Sequence, residues 1–584
     1  MFFINRDLLN KKELIPKVEQ ATLDIGSCFF VQDSDSTVRV VLASYLLFEV
    51  STMNNPTKIS YKEMLSISCR FTEDATVVIT SLVLEEEWSR LVALTEKYTY
   101  EVFALVSFVF PMIQGNKYKG MESTPLSITK LAQRILQITP SDRFADICCG
   151  VASCITECAL DEPKANYYGI EINTSNKLIA DIRTSLIDAE IKIVLQNAFS
   201  LLKQPETIKF DKIFSNYPFK IRLRNLGSED EYINRLIDKY QGLGKATSSD
   251  WAFNALVCEL LSNEGKAIGI MTNGSTWNSI DTPMRKQFVE EGLIECVIAL
   301  PPKIFEFTAI STSLVVFSKG NKSVRIVDAS KLCQQGRRYN EFSDDDVNTI
   351  VSALRKDCEY SKAISVDELR TNDYTLSLSR YLSSNIQFDN AVPFESVIKS
   401  ISRGAPCNAR QLDEMASENA TKMQYLMLSN IQNGIIEDTL PYLSHIDEKY
   451  KKYCLKDNDL ILSKNGYPYK LAVAKVPEGH EILANGNLYI IELDQEKIDP
   501  YYLKAFFESE QGIAVLKSIT VGATVPNIGV DSLKKVIIPV PPLAQQKRIS
   551  EQYQMTLDEI AIHKLKLEKA FSKLHHIFDN ESEG

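Results

Sequence analysis

The sequence predicts an α/β protein: a Rossmann-like sheet of mostly parallel strands, then a small mixed α/β domain, then one long terminal helix. Three observations carry that reading. Strand-length apolar runs alternate with helix-length stretches from Arg143 to Phe317. Short apolar runs broken by Gly, Asn and Pro fill Val392 to Asp531. Beyond Pro542 the apolar residues recur at alternating steps of three and four, the spacing of a helical seam.

Length and charge bound the function. A chain of 584 residues, 45% of them hydrophobic, is long enough for about three or four domains with large cores. A net charge of −11 argues against a basic nucleic-acid coat protein. It leaves DNA binding open, because a groove needs only local Lys and Arg. The 12 cysteines lack the spacing of a secreted disulfide framework and read as reduced thiols. Cys148, Cys149, Cys154 and Cys158 form no Cys-x-x-Cys pair, so they read as small residues around a loop and helix, and no metal is expected. Met1 to Ile4 runs straight into Asn5, Arg6 and Asp7, unlike a signal peptide, and the longest apolar run, Val102 to Ile113, is too short to span a bilayer. A cytoplasmic protein without a membrane segment is expected.

Taken in order, residues 1–115 are the least informative. Val38 to Val50 and Ala75 to Leu84 are β-branched and strand-like, whereas Leu84 to Ile113 has helical spacing with Glu85, Glu86 and Glu87 at its start. From 116 to 385 the pattern sharpens. Arg143 to Gly150 has the strand-then-Gly form of a nucleotide-binding first loop, with Val151, Ala152 and Ser153 before a helix. Tyr167 to Ile172 is a second strand carrying Glu171, an acid placed to hold a ribose hydroxyl pair. A third strand, Ile191 to Leu195, leads into Gln196, Asn197, Ala198 and Phe199, where a polar side chain beside an aromatic suits an adenine ring.

Phe210 to Phe214 is a buried strand, and Ser215, Asn216, Tyr217, Pro218 and Phe219 follow at its end, where open α/β sheets bind ligands. The exocyclic amine of a nucleobase is a poor nucleophile because its lone pair is delocalised into the ring. A catalyst must accept its hydrogens. The Asn216 side-chain oxygen and the Tyr217 carbonyl are two such acceptors, held by the fixed φ of Pro218, and Phe219 offers a face for a base taken out of the duplex. The plain turn-forming role of Asn and Pro is the competing reading.

From about Gly120 to Arg380 the chain resembles the adenine-specific DNA methyltransferase subunit of Type I restriction-modification systems, the gamma class of amino-methyltransferases. Thr124 and Pro125 match that family's Thr-Pro step before its first helix, Asp146 to Gly150 its Asp-Pro-x-Cys-Gly-x-Gly, Glu171 its ribose-binding acid, and Asn216 to Phe219 its Asn-Pro-Pro-Phe. Asp250 to Phe253, Leu260 to Ile270, Val297 to Phe305 and Ser311 to Phe317, the last as final strand, follow its later segments. The resemblance implies S-adenosylmethionine near Thr124, Pro125, Asp146, Gly150, Glu171 and Asn197, and a flipped adenine among Asn216, Tyr217, Pro218 and Phe219. Ile147, Ala152 or Ser153, Asn197 and Tyr217 depart from the family pattern.

Past the catalytic stretch, Lys220, Arg222, Arg224, Arg235, Lys239 and Lys245 suit phosphates beside a flipped base, or simply a solvated face. Gly242 to Lys245 lacks the earlier glycine of a phosphate loop. Asp328 to Glu368 is charged and helix-prone, and 383–389 reads as a linker.

Residues 390–545 carry a second resemblance, to one target-recognition domain of the Type I specificity subunit. It rests on Phe394 to Ile398, Leu455 to Gly466, Gly522 to Ile528 and Ile537 to Ile549. Lys464, Asn465, Lys470, Lys475, Asn485 and Asn487 are its candidate DNA contacts. In the last segment, 546–580, Leu557, Ile560, Lys564, Leu567, Phe571, Leu574 and Phe578 form a coiled-coil seam, on a helix about 50 Å long. One recognition domain and one helix imply a homodimer reading two half-sites of double-stranded DNA, against the plainer reading of a helix packed on its own chain. The expectation is a site-specific adenine-N6 DNA methyltransferase in a restriction-modification or related system, with or without a separate restriction subunit. A decayed DNA-binding protein, or a methyltransferase of RNA or protein glutamine, are the alternatives.

Overall fold

The computed structural model describes residues 2–30, 35–68, 75–112, 123–203, 209–219, 231–244, 247–305, 311–336, 339–382, 388–432, 434–437, 439–521 and 526–575. Contacts divide the chain into two compact units, Met1–Leu378 and Ser379–Gly584. No helix among the described residues is long and apolar enough to cross a membrane.

In the first unit nine strands form one sheet: β1 Arg143–Asp146, β2 Asn166–Glu171, β3 Glu190–Leu195, β4 Phe210–Ser215, β5 Leu261–Thr272, β6 Ile294–Ala299, β7 Thr312–Phe317, β8 Ser323–Asp328 and β9 Ser361–Ser365. Their order is β3-β2-β1-β4-β5-β7-β6-β8-β9. Strands β1 to β5 run parallel, and β7 lies antiparallel between β5 and β6. The chain winds outward from β1 in one direction and from β4 in the other. Their carboxyl ends therefore splay apart into a crevice. Thr312 to Phe317 is not the final strand: β8 and β9 extend the sheet, and between them only Asp344–Ala353 of the predicted helical stretch forms a helix of three turns.

The strand reading of Val38 to Val50 and Ala75 to Leu84 is wrong. Both stretches are helical, at Ser36–Ser51 and Ala75–Leu82. Nearly every side chain of Ser36–Ser51 is buried, because Ile15–Ser27, Tyr100–Val109 and Thr174–Ser185 all pack against this helix or its neighbours. A helix buried on every face has no polar stripe, so β-branched content was the only local signal. Leu84 to Ile113 is helical as expected, at Glu85–Ala93 and Tyr100–Val109.

These N-terminal helices share one hydrophobic core with the sheet. The seam is also polar: the Ile4 N–H donates to the Leu186 carbonyl at 2.8 Å, and Arg6 pairs with Glu157 at 2.6 Å and Asp161 at 2.7 Å.

The second unit is a mixed α/β body, as its broken apolar runs predicted. One sheet orders Ile398–Arg403, Leu488–Leu493, Leu460–Ser463 and Leu471–Val473, and another orders Ala416–Ser417, Tyr442–Leu443, Met423–Leu426 and Glu481–Ala484. Pro500–Glu508 and Glu510–Ser518 pack into the same core as the first sheet. The terminal helix runs from Leu543 to His575. Its root is held by buried Gln546, whose amide donates to the carbonyls of Lys497 (3.0 Å) and Pro541 (2.7 Å) and accepts from the Asp499 N–H (2.8 Å). Lys504, Glu508 and Tyr553 form a second polar tie between Pro500–Glu508 and this helix.

Candidate active site

The site is built on the carboxyl ends of β1, β2 and β4. Strand β1 places Asp146 and delivers a loop with two left-handed residues, Gly150 (φ 54°) and Ala152 (φ 60°). The glycine adopts this freely, whereas Ala152 pays about 1 kcal/mol or more for its Cβ. Gly169 on β2 lets the loop lie close to the sheet: a Cβ there would stand 2.5 Å from Ile193 Cδ1, 2.8 Å from Ile155 Cδ1 and 3.1 Å from Cys149 Sγ.

Glu171, at the end of β2, accepts N–H groups from Gly150 (2.8 Å), Ile172 (2.8 Å) and Asn173 (2.7 Å). An ionised carboxylate has about four acceptor positions, so capacity for a hydroxyl remains. Beside it Asp146 is fully buried, and burial pushes its carboxyl up to about 8, opposed by the Cys148 N–H and reinforced by Glu171. A positively charged or hydroxyl-bearing ligand fits this pair of acids. Cys148 and Cys149 stand in the same loop, their thiols raised by burial.

Asn197 is half-buried after β3, where its Oδ1 accepts the Phe199 N–H at 3.0 Å. The Phe199 ring is not available to an adenine. It is buried and packs on Phe253 with centroids 5.0 Å apart. An apolar side chain left open at the neighbouring strand tip is Ile172, 69% exposed directly after Glu171, which sequence reasoning passed over. Its signal was position alone: an isoleucine one step beyond the strand's terminal acid.

At the end of β4 the four residues Asn216 to Phe219 face different surroundings. The Asn216 Nδ2 donates to Thr124 Oγ1 at 3.2 Å, which fixes the amide plane, while its Oδ1 is buried without a hydrogen-bond partner. A buried acceptor left open costs free energy unless a donor meets it. Pro125 is buried and its carbonyl accepts from Ile128 and Thr129 at the start of Leu126–Leu136, so Thr124 is held by a helix.

The Tyr217 side chain turns away into the core. It stacks on Phe253 (4.8 Å, 7°), and its hydroxyl donates to Asn254 Oδ1 at 2.9 Å. Gly269 on β5 makes room for it: an added Cβ would lie 2.8 Å from Asn254 Oδ1 and 3.5 Å from the Tyr217 ring. The tyrosine that departs from the family pattern is thus absorbed by the core, leaving its carbonyl for the site. Pro218 is exposed, and Phe219 meets Phe305 edge to face at 5.9 Å. Phe305 lies beyond β6, in the Pro301 to Phe305 segment. Phe305 is buried in the core, and Phe219 is half-buried against it.

Asp250 braces this edge from the start of Ser249–Leu260. Its Oδ2 accepts from the Thr272 N–H (3.0 Å), the Thr272 hydroxyl (2.6 Å) and the Ser275 hydroxyl (2.8 Å), which ties the helix to the end of β5. Lys220, Arg222, Arg224 and Lys245 lie outside the described residues. Lys239 pairs with Glu259 at 2.5 Å and so is no free phosphate contact.

Residues 109–389 match the N-6 DNA Methylase family, and residues 408–570 match the Type I restriction modification DNA specificity domain. The first match covers just under half of the chain and the second lies behind it, so the chain carries an N-6 DNA methylase region followed by a Type I specificity region. The methylase subunit of the Type I restriction enzyme MjaVIII from Methanocaldococcus jannaschii is 25% identical over 315 residues, 49% of this chain and 53% of that one. The HindI methylase subunit from Haemophilus influenzae is 25% identical over 320 residues, 50% of this chain and 70% of that one. The match thus spans about half the length of the M. jannaschii relative. Among solved structures, the Type I methyltransferase subunit from Streptococcus thermophilus covers 63% of this chain and 99% of its own at 18% identity and a TM-score of 0.49.

Proposed function

We propose that this methylase transfers a methyl group from S-adenosylmethionine to N6 of an adenine in double-stranded DNA, at sites chosen by its own specificity domain. The observation that carries the reading is the Asn216 amide: fixed through Nδ2 on Thr124, buried, and left with an open Oδ1 at the end of β4.

The residues divide the work. Glu171 suits the ribose hydroxyls, Asp146 the charged end of the cofactor, the Gly150 to Ala152 loop its close approach, and Ile172 a face of its adenine. When bound, S-adenosylmethionine supplies a methyl on a sulfonium, and its transfer relieves a positive charge. Asn216 Oδ1 and the Tyr217 carbonyl accept the two N6 hydrogens, which turns the amine's lone pair toward the methyl, while Phe219, backed by buried Phe305, offers a face to the extruded base. The nitrogen lone pair forms the new C–N bond, the C–S pair stays on sulfur, and the surplus proton leaves to water.

The finer reading is a symmetric dimer. On the terminal helix Ile560, Leu567 and Phe571 are exposed, the last two at 57% and 53%, and Leu557 is half-buried. Lys564, Leu574 and Phe578 belong to the same seam but their side chains lie outside the described residues. A second copy of this helix is the occupant that suits a seven-residue apolar repeat. Pairing would present two recognition domains to two half-sites.

The test is transfer of labelled methyl from S-adenosylmethionine to mixed genomic DNA, with Asn216→Ala in parallel and modified positions mapped. Methyl-adenine at one recurring split motif, lost in the variant, supports the whole reading. Cofactor binding without label on DNA points to an RNA or protein substrate, and no cofactor binding points to a decayed DNA-reading protein.

A further inference from the structure

Arg183 is fully buried in Thr174–Ser185, and what it touches joins two parts of the first unit. Its Nε donates at 2.9 Å to the carbonyl of Phe108, in the last turn of Tyr100–Val109, where helix carbonyls lack partners of their own. The guanidinium also lies over the Phe108 ring at 5.1 Å. One terminal nitrogen donates to the Val151 carbonyl, and the other to Thr156 Oγ1 at 3.0 Å. The Thr156 hydroxyl in turn lies within hydrogen-bond reach of the carbonyls of Ala152 (2.9 Å) and Ser153 (3.1 Å). One side chain therefore reaches the cofactor loop at three successive carbonyls, directly at the first and through Thr156 at the next two.

That loop is the one that needs holding. Val151 sits between left-handed Gly150 and left-handed Ala152, and only the first can adopt that conformation without strain. A glycine at 152 would keep the loop open by itself. Alanine requires a clamp, and the carbonyl of the residue between the two turns is the atom that Arg183 takes.

We propose that Arg183 is a positioning residue of the cofactor pocket: it clamps the strained Gly150–Ala152 loop and anchors it on the N-terminal helical layer through the Phe108 carbonyl. The N-terminal layer thereby supports the cofactor site through Phe108. The proposal rests on the reading of this loop as an S-adenosylmethionine site.

The experiment uses the full chain and reads calorimetric S-adenosylmethionine affinity, KM for cofactor and DNA separately, kcat, and melting temperature. Arg183→Met should raise Kd and KM for S-adenosylmethionine about tenfold, the order expected for a lost charge-assisted hydrogen bond, with kcat and the DNA KM within about twofold. Thr156→Val, which keeps the guanidinium and its Phe108 bond, should raise them less. Adding Ala152→Gly to Arg183→Met should restore most of the affinity, because glycine removes the strain that the clamp opposes; a merely structural role would not give that rescue. Wild-type affinity in a folded Arg183→Met chain, or a loss that Ala152→Gly leaves untouched, overturns the proposal. If Arg183→Met does not fold, Thr156→Val decides it: unchanged cofactor affinity overturns the clamp, and a selective loss supports it. A wild-type chain that binds no S-adenosylmethionine overturns the cofactor reading itself, and the clamp with it.

Discussion

Asn216 illustrates how little a residue must do once its surroundings are fixed. Its nitrogen donates to Thr124 and its oxygen is left open as an acceptor. Asn216→Ala should lower single-turnover methyl transfer by about a hundredfold or more, the range for losing one preorganised group, while leaving DNA affinity unchanged in a gel-shift titration. Asp146 makes a second prediction at this scale. Its folded pKa, about 8, lies above that of an unfolded Asp, so its contribution to stability is fully present below about pH 4 and is lost as pH rises toward 8. Melting temperatures of the cofactor-free chain should carry that decline, and Asp146→Asn should flatten it. An unchanged slope in the variant would show that another group is responsible.

At the scale of elements, the positions that matter are where strands end and what packs beneath them. Strand β5 carries Gly269 under the Tyr217 ring, and the helix Ser249–Leu260 carries Phe253 and Asn254 against the same ring. Gly269→Ala should force this cluster apart, destabilising the first unit by about 1–3 kcal/mol in denaturant titration and lowering activity more than cofactor affinity, since it shifts Tyr217 next to Asn216. The helix Ser36–Ser51 teaches the opposite lesson about reading elements. Its Val38, Val40, Val41 and Val50 spell a strand locally, yet it is helical because its neighbours cover it on all sides. Strands β1 to β4 were legible because each is a short, largely apolar run with polar residues at or just beyond its end.

For the whole molecule, the open quantity is the number of copies. The terminal helix is rooted by Gln546, Lys504 and Tyr553, but Leu567 and Phe571 face solvent within the chain. Replacing both with Glu should convert a dimer to a monomer in light scattering, with the melting temperature of the unpaired chain almost unchanged, since exposed positions contribute little to folding. Methylation of split sites should fall far more than cofactor binding. A wild-type chain that scatters as a monomer at micromolar concentration would exclude the paired reading.

Legible in the sequence were the polar residues at the strand tips, Asp146, Glu171, Asn197 and Asn216, the broken apolar runs of the module behind them, and the apolar seam of the last helix. Those features are local, because strand periodicity, a Gly-containing turn and a helical repeat are each written within a dozen or so residues. Only the tertiary structure decided which side chains face the crevice and which support it. Phe199 and the Tyr217 ring went into the core, Ile172 came out to the surface, the N-terminal strands became helices, and Arg183 acquired partners at Phe108 and Val151. Burial and long-range hydrogen bonds depend on residues far apart in the chain, and no local pattern encodes them.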